Sequence, residues 1–233
     1  MATFSVLILT AAPPGQGAVG EQSTAYVKID GREALLRSVE LFLNRDNVKQ
    51  IQLVILSEAI EQAKQKFGAH LGFSGVKLIA GGPRWLDQIG AAAGTVAGEA
   101  THVIVHDAAR PAVPYSDIEA LMVAAEKNAA VALAAPLRST LVELDEGGTP
   151  MAYHLPSSFM QLLTPQAFSK QKFLEMAKSK TEVHPSQLVL VKGSPLNVRI
   201  GGAGDGGFVK AMIGMLPKPK MKALSSPFEE AQW

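Results

Sequence analysis

Asp107 is the residue in this chain best placed, by type and context, to do chemistry. It ends the apolar run His102-Val103-Ile104-Val105-His106 and is followed by Ala108-Ala109-Arg110-Pro111. In an open α/β sheet, ligands bind outside the carboxyl ends of the strands. A carboxylate at such an end projects into the crevice, where it can hold Mg²⁺ bridging nucleotide phosphates. Ala108 and Ala109 leave room for a ligand, and Arg110 offers a planar fork for a phosphate or carboxylate. The blander alternative is a strand-end carboxylate paired locally with Arg110.

Two glycine-containing loops compete for attention. Ala11-Ala12-Pro13-Pro14-Gly15-Gln16-Gly17-Ala18-Val19-Gly20 follows the first apolar run. Small residues there let backbone N–H groups approach a phosphate or a base. Pro13 and Pro14 each remove a donor, however, and residues 1–27 contain neither Lys nor Arg. A phosphate cradle and a simple connector both remain open. The second loop, Gly201-Gly202-Ala203-Gly204-Asp205-Gly206-Gly207, satisfies the dinucleotide pattern through Gly202, Gly204 and Gly207. That pattern needs a following strand with an acidic residue, and only a tail with prolines and lysines follows, so a dehydrogenase is set aside. The histidines show no metal-ligand spacing, and no hydrolase or Walker string occurs.

The elements that must position Asp107 are legible from periodicity. Short runs rich in Val, Ile and Leu occupy residues 4–9, 51–56, 76–80, 102–105, 130–134 and 188–191. Nearly continuous apolar character marks strands buried on both faces, as in a parallel sheet covered by helices. Helical patterns fall at 33–44, 58–67, 86–98, 118–127, 170–178 and 208–215. The alternation predicts a doubly wound, mostly parallel, Rossmann-like α/β sheet. Residues 140–144 and 151–154 read as a hairpin around Asp145-Glu146-Gly147-Gly148, either an arm for a partner subunit or an ordinary edge hairpin. A last strand pair is expected near Leu188 and Asn197. The expected organisation is one domain over 1–216, with the arm at about 138–160, and a loosely ordered tail over 217–233.

Composition narrows the class. The 233 residues are 47% hydrophobic and 18% charged, and 22 basic residues nearly cancel 21 acidic ones. No global field is present to gather nucleic acid or an anionic membrane. The absence of cysteine excludes disulfides, thiolate metal sites and a cysteine nucleophile. The opening run lacks a basic flank and reads as a buried strand rather than a signal peptide. No stretch reaches the ~18 apolar residues of a membrane span. A cytoplasmic protein that binds neither membrane nor nucleic acid is expected.

Taken in order, these pieces resemble the 2-C-methyl-D-erythritol 4-phosphate cytidylyltransferase family of the non-mevalonate isoprenoid pathway. Val105-His106-Asp107-Ala108-Ala109-Arg110-Pro111 is similar, without a change, to its most distinctive motif. Gly81-Gly82, Pro136-Leu137-Arg138-Ser139-Thr140, Leu163-Thr164-Pro165-Gln166-Ala167-Phe168, Val191-Lys192-Gly193 and Asn197-Val198-Arg199-Ile200 supply the other matches. The resemblance implies cytidylyl transfer from CTP to a sugar phosphate, dependence on Mg²⁺ or a similar divalent cation, and a homodimer joined through the arm. It implies that Asp107 binds the metal and the nucleotide. Ala11, Ala12, Gly15, Gly81, Gly82, Gln88 and Ala108 would shape the CTP pocket. Arg110, Thr140 and Thr164 would face the acceptor, and Arg199 takes the place of a lysine that contacts the nucleotide phosphates.

The chain also departs from the family pattern. A first-loop arginine falls at Gly17, a lysine at Thr24, the first glycine at Pro13 and an arm arginine at Pro156. The serine of the third-helix motif falls at Gln88, Arg84 is displaced by one position, and Thr181-Glu182-Val183-His184 stands for a longer acidic stretch. Nucleotidyl transfer relies on fixed cations around phosphate oxygens, and one lost donor costs roughly 10²–10³-fold in rate. The sequence therefore supports a cytidylyltransferase with substituted cations, or alternatively an inactive homologue that binds a nucleotide or a partner subunit. Lys28 or Arg84 turned toward Asp107 would mark a rebuilt site.

Overall fold

The structure, a computed structural model, describes residues 1–16 and 23–217. The first-loop positions 17–22, Gly17 among them, and all of the tail beyond Pro217 lie outside the described residues.

Eleven strands and six α-helices run in the order β1 (Phe4–Leu9), β2 (Lys28–Ile29), β3 (Arg32–Glu33), α1 (Ala34–Glu40), β4 (Val48–Leu56), α2 (Ile60–Phe73), β5 (Val76–Gly81), α3 (Trp85–Ala93), β6 (His102–Asp107), α4 (Tyr115–Ala125), β7 (Ala130–Pro136), β8 (Leu141–Leu144), β9 (Pro150–His154), β10 (Met160–Ser169), α5 (Lys170–Ser179), β11 (Val189–Lys192) and α6 (Gly206–Met215). Seven strands form one sheet in the order β11-β7-β10-β6-β1-β4-β5. Only β10 runs antiparallel to its neighbours, β6 and β7. This is the mostly parallel Rossmann-like sheet that the apolar runs predict.

Strand alternation sorts the core into two layers, because successive side chains point to opposite faces. Phe4, Val6 and Ile8 of β1 pack with Leu35 and Val39 of α1, Phe67 of α2 and Ile118 of α4. Leu7 and Leu9 face the other way, against Trp85 and Ile89 of α3 and Phe173 of α5. Each fully buried Leu, Ile or Phe contributes about 1.5–3 kcal/mol, so both faces hold the central strands in place. In parallel register, Leu9 of β1 lies opposite Asp107 of β6. Asp107 therefore ends a central strand.

Several boundaries differ from expectation. The first helix stops at Glu40 rather than 44, the third at Ala93 rather than 98, and α2 runs on to Phe73. The segment around Asn197 is not a strand: residues 197–200 are irregular, and their polar groups bond to the end of β6 and to β10 rather than to a ladder. Strand β10 is the main element not anticipated, along with the β2–β3 hairpin, whose Asp30 (φ +51°) and Gly31 (φ +77°) make the left-handed turn such a ribbon prefers.

The arm forms a separate two-stranded sheet, β8 with β9. Its turn is closed by Asp145 Oδ1, which accepts from the N–H groups of Gly147 and Thr149, both at 2.8 Å. Among the described residues no helix is long and apolar enough to cross a membrane.

Gly81, the last residue of β5, has no space for a side chain. An added Cβ would lie 2.7 Å from Val54 Cγ1 and 2.9 Å from Gln88 Cγ. Overpacking of this kind costs about 1–3 kcal/mol. Gly81→Ala is expected to lower the unfolding free energy by that amount, read as a lower urea midpoint at unchanged m-value; an unchanged midpoint would show that α3 yields freely.

Candidate active site

The carboxylate of Asp107 is 1% exposed. Burial alone pushes its carboxyl up, toward the neutral form, and the charge of Arg199, the Ala109 N–H and the charge of Arg110 oppose that push. Arg199 Nε donates to Oδ2 at 2.8 Å, and the Ala109 N–H donates to Oδ1 at 2.9 Å. Arg110 Nε is buried without a hydrogen-bond partner among the described residues and lies 3.8 Å from Oδ2. Breaking a buried pair by removing one member leaves an uncompensated charge, so Asp107 and its arginines stand or fall together.

Each arginine is held in turn. Arg110 Nη1 donates to the carbonyl of Asn197 at 2.8 Å, and Nη2 donates to Gln16 Oε1 of the first loop at 2.6 Å. Arg199 spans from Asp107 to Thr24, where its Nη2 lies 3.4 Å from Oγ1. Through this contact Arg199 links the end of β6 to the segment that follows the first loop. Asn197 ties the cluster to β10 by donating Nδ2 to the carbonyl of Thr164 at 2.7 Å.

Behind Asp107 a neutral histidine completes the packing. His106 Nε2 lies 3.1 Å from the carbonyl of Arg110, which can only accept, so this nitrogen carries the proton. Nδ1 then accepts from Thr164 Oγ1 at 3.2 Å, while that oxygen accepts from the Asp107 N–H at 3.1 Å. Burial, and then the charge of Arg110, push the imidazole down to about 3.

A cleft of about 360 Å³ opens between the first loop and the start of α3, and none of Asp107, Arg110, Thr164 or Arg199 lines it. Ala12, Pro13 and Gly15 form one wall, Arg84 and Asp87 the other, and Lys180 closes the rim. The volume lies in the range of small-molecule sites, about 300–1,000 Å³. Gln88, which is fully buried, braces both walls: Oε1 accepts from the Ala11 N–H at 3.1 Å, and Nε2 donates to the Gly82 carbonyl at 3.2 Å and to Thr10 Oγ1 at 3.3 Å. Gly81 and Gly82 sit under the cleft, where a Cβ on Gly82 would meet that of Asp87 at 2.7 Å.

The structure thus gathers Asp107, Ala108, Arg110, Thr164 and Arg199 at one point; of the residues expected at the nucleotide, Ala12 and Gly15 line the cleft, while Ala11, Gly81, Gly82 and Gln88 stand behind its walls. Thr140 stands apart, exposed in the lead-in to the arm. Neither cation looked for as a replacement faces Asp107. Arg84 is spent on Asp87, through bonds of 2.9 and 3.1 Å, and Lys28 is exposed on β2. Asp205 accepts from the N–H groups of Gly201 and Gly202 at 2.7 and 3.1 Å, which satisfies that glycine loop internally. Gln16, Asn197 and Lys180 are site neighbours that sequence reasoning did not single out; Gln16 and Asn197 stood in quoted strings, the first loop and the string containing Arg199, while Lys180 carried no signal.

The family model for 2-C-methyl-D-erythritol 4-phosphate cytidylyltransferase (IspD) matches residues 5–205. This chain belongs to that family. Similar curated IspD proteins include one from Rhodopirellula baltica, 27% identical over 218 residues and covering 83% of this chain and 88% of that protein. One from Bacillus velezensis is 24% identical over 223 residues, 89% of this chain and 95% of that protein. Among solved structures, 4-diphosphocytidyl-2C-methyl-D-erythritol synthase from Anaerococcus prevotii superposes with a TM-score of 0.72 at 19% identity, covering 91% of this chain and 96% of that one. The IspD from Thermus thermophilus gives 0.69 at 20% identity, with 89% and 97% covered. These likenesses establish the shared fold.

The family also implies a divalent cation. Among the described residues no group of three or more His, Asp or Glu side chains is arranged to hold one. Asp107 is the one carboxylate of the cluster, and a Mg²⁺ carried largely by phosphate oxygens and water needs no more than one or two. Oδ1 and Oδ2 of Asp107 each accept one hydrogen bond, from the Ala109 N–H and from Arg199, so each keeps a lone pair that such an ion could take.

Neutral His106 has a consequence for stability. The unfolded imidazole takes up its proton near pH 6.5, the folded one only near pH 3. Between those values the unfolded state binds the extra proton, so stability falls as pH falls, by about 1.4 kcal/mol per pH unit. Between pH 7 and pH 5, His106→Gln is expected to lose about 2 kcal/mol less than the wild type in chemical unfolding. Equal losses would show that the folded imidazole titrates normally.

Proposed function

We propose that this chain transfers a cytidylyl group from CTP to 2-C-methyl-D-erythritol 4-phosphate and releases pyrophosphate. An acceptor phosphate oxygen forms a bond to the α-phosphorus of CTP, and the bond from that phosphorus to the bridging oxygen of the pyrophosphate breaks. The observation that carries this reading is the pairing of Asp107 with Arg199 at the end of β6, next to β1, whose following loop lines a cleft of small-molecule size. Such transfer needs positioning and fixed charge rather than covalent help from the protein.

The residues divide the work by place. Ala11, Ala12, Gly15 and Gly82 bring backbone close to the nucleotide, with Gly81 and Gln88 holding the two cleft walls at their spacing. Arg199 places its guanidinium against the phosphates, reaching the Thr24 side where the first segment has no cation of its own. Arg110 and Thr164 are on the acceptor side of the cluster, and Thr140, apart from them within one chain, would reach an acceptor only from the arm of a second copy. Mg²⁺, when bound, neutralises phosphate charge, and Asp107 is the residue that would hold it. Asp107 also anchors Arg199, so its carboxylate keeps the cation in position.

The arm supports a homodimer. Val142, Leu144, Met151, Tyr153 and Leu155 are all exposed there, Tyr153 to 82%. Contiguous apolar surface of this sort marks association sites, and the occupant proposed is the arm of a second copy. Tyr153→Asp with Leu155→Asp is expected to shift the sedimenting species from dimer to monomer. A wild-type monomer would remove this part of the reading.

Pyrophosphate release with CTP, Mg²⁺ and methylerythritol phosphate tests the activity itself. Turnover is expected in the wild type, and Asp107→Asn is expected to lower it at least ~10²-fold. Retained CTP binding without turnover would instead describe a nucleotide-binding relative that has lost the reaction.

A further inference from the structure

The rim of the cleft carries a charge that the family pattern does not assign. Arg84 and Asp87 face each other across α3's first turn and neutralise one another through two bonds. Lys180, on the rim of the same cleft, forms no ion pair among the described residues. Its charge is felt at Asp87, whose carboxyl it helps hold down after the larger effect of Arg84. One net positive charge therefore stays at the mouth of the cleft, on a chain whose first 27 residues supply none.

The backbone under Lys180 is as informative as its charge. The residue ends α5 at φ +52° and ψ +38°, in the left-handed region. Helices that end this way usually place glycine there, because a Cβ is disfavoured. Here a lysine occupies that position, and the left-handed cap fixes where its side chain leaves the end of α5. From the end of α5, its four-carbon stem hangs beside the first loop and the start of α3.

We propose that Lys180 is a nucleotide-binding residue that draws the polyphosphate to the cleft, supplying from α5 a cation that the first segment lacks. This rests on the nucleotide reading of the cleft given above. The contact is with phosphate charge and not with the base, so it distinguishes a nucleotide from its nucleoside.

Calorimetric titration of the full chain with Mg·CTP and, separately, with cytidine tests this. Lys180→Ala is expected to weaken Mg·CTP about tenfold, the effect of one charge-assisted contact, and to leave cytidine unchanged. Lys180→Arg, which keeps the charge, is expected to restore most of the loss, and the wild-type advantage is expected to shrink as salt is raised. Equal Mg·CTP affinity in wild type and Lys180→Ala would overturn the assignment while leaving the proposed reaction intact. Parallel loss of cytidine and CTP binding would also overturn it, by showing that Lys180 only braces α5 against α3. A wild type that binds neither ligand would overturn the nucleotide reading along with it.

Discussion

A carboxylate buried at the end of a central strand must be matched by positive charge, and much of this structure is arranged around that requirement. Asp107 leaves water with β6, where an unpaired ion would cost several kcal/mol or neutralise itself. Local sequence supplies Arg110, but its guanidinium approaches only to 3.8 Å and is directed by other partners. The direct partner, Arg199, comes from far along the chain. Bringing it there requires the irregular segment before α6 to be fastened down. Ser194 N–H donates to Asp117 at 2.6 Å, Asn197 to β10, and Ile200 N–H to the carbonyl of Ala109 at 2.9 Å. Helix α4, strand β10 and the end of β6 thus share one task.

The same demand reaches the first segment and the cleft. Arg199 extends from Asp107 to the hydroxyl of Thr24. Gln88 is long enough to span from the first loop to Gly82 and is wholly consumed in doing so. Among the described residues, Arg110 Nε is the one guanidinium nitrogen of the cluster that is buried without a hydrogen-bond partner, which leaves a donor beside Asp107.

Much of the fold was legible because parallel strands are written as apolar runs, and β1, β5, β6 and β7 begin where those runs begin. Strand β10 was not, because Thr164-Pro165-Gln166 interrupts the apolar pattern and proline disfavours a strand assignment. The error at Asn197 has the opposite cause. Val198 and Ile200 alternate as a strand would, yet the polar groups of this segment are claimed by Ala109, Arg110 and Thr164. Asp107 and Arg110 could be found from one contiguous string. Gln16, Lys180 and the meeting of Thr24 with Arg199 could not, since each depends on contacts between segments remote in sequence.

Asp107 and Arg199 act as one unit, and a double-mutant cycle on turnover tests that most directly. Asp107→Asn, Arg199→Gln and the double variant are compared with wild type in the pyrophosphate assay. If the pair is a unit, the double variant is no slower than the slower single variant, because removing either partner already disables the other. Losses that multiply would show two independent contributions, and the central pairing would then be a structural contact without a shared catalytic role.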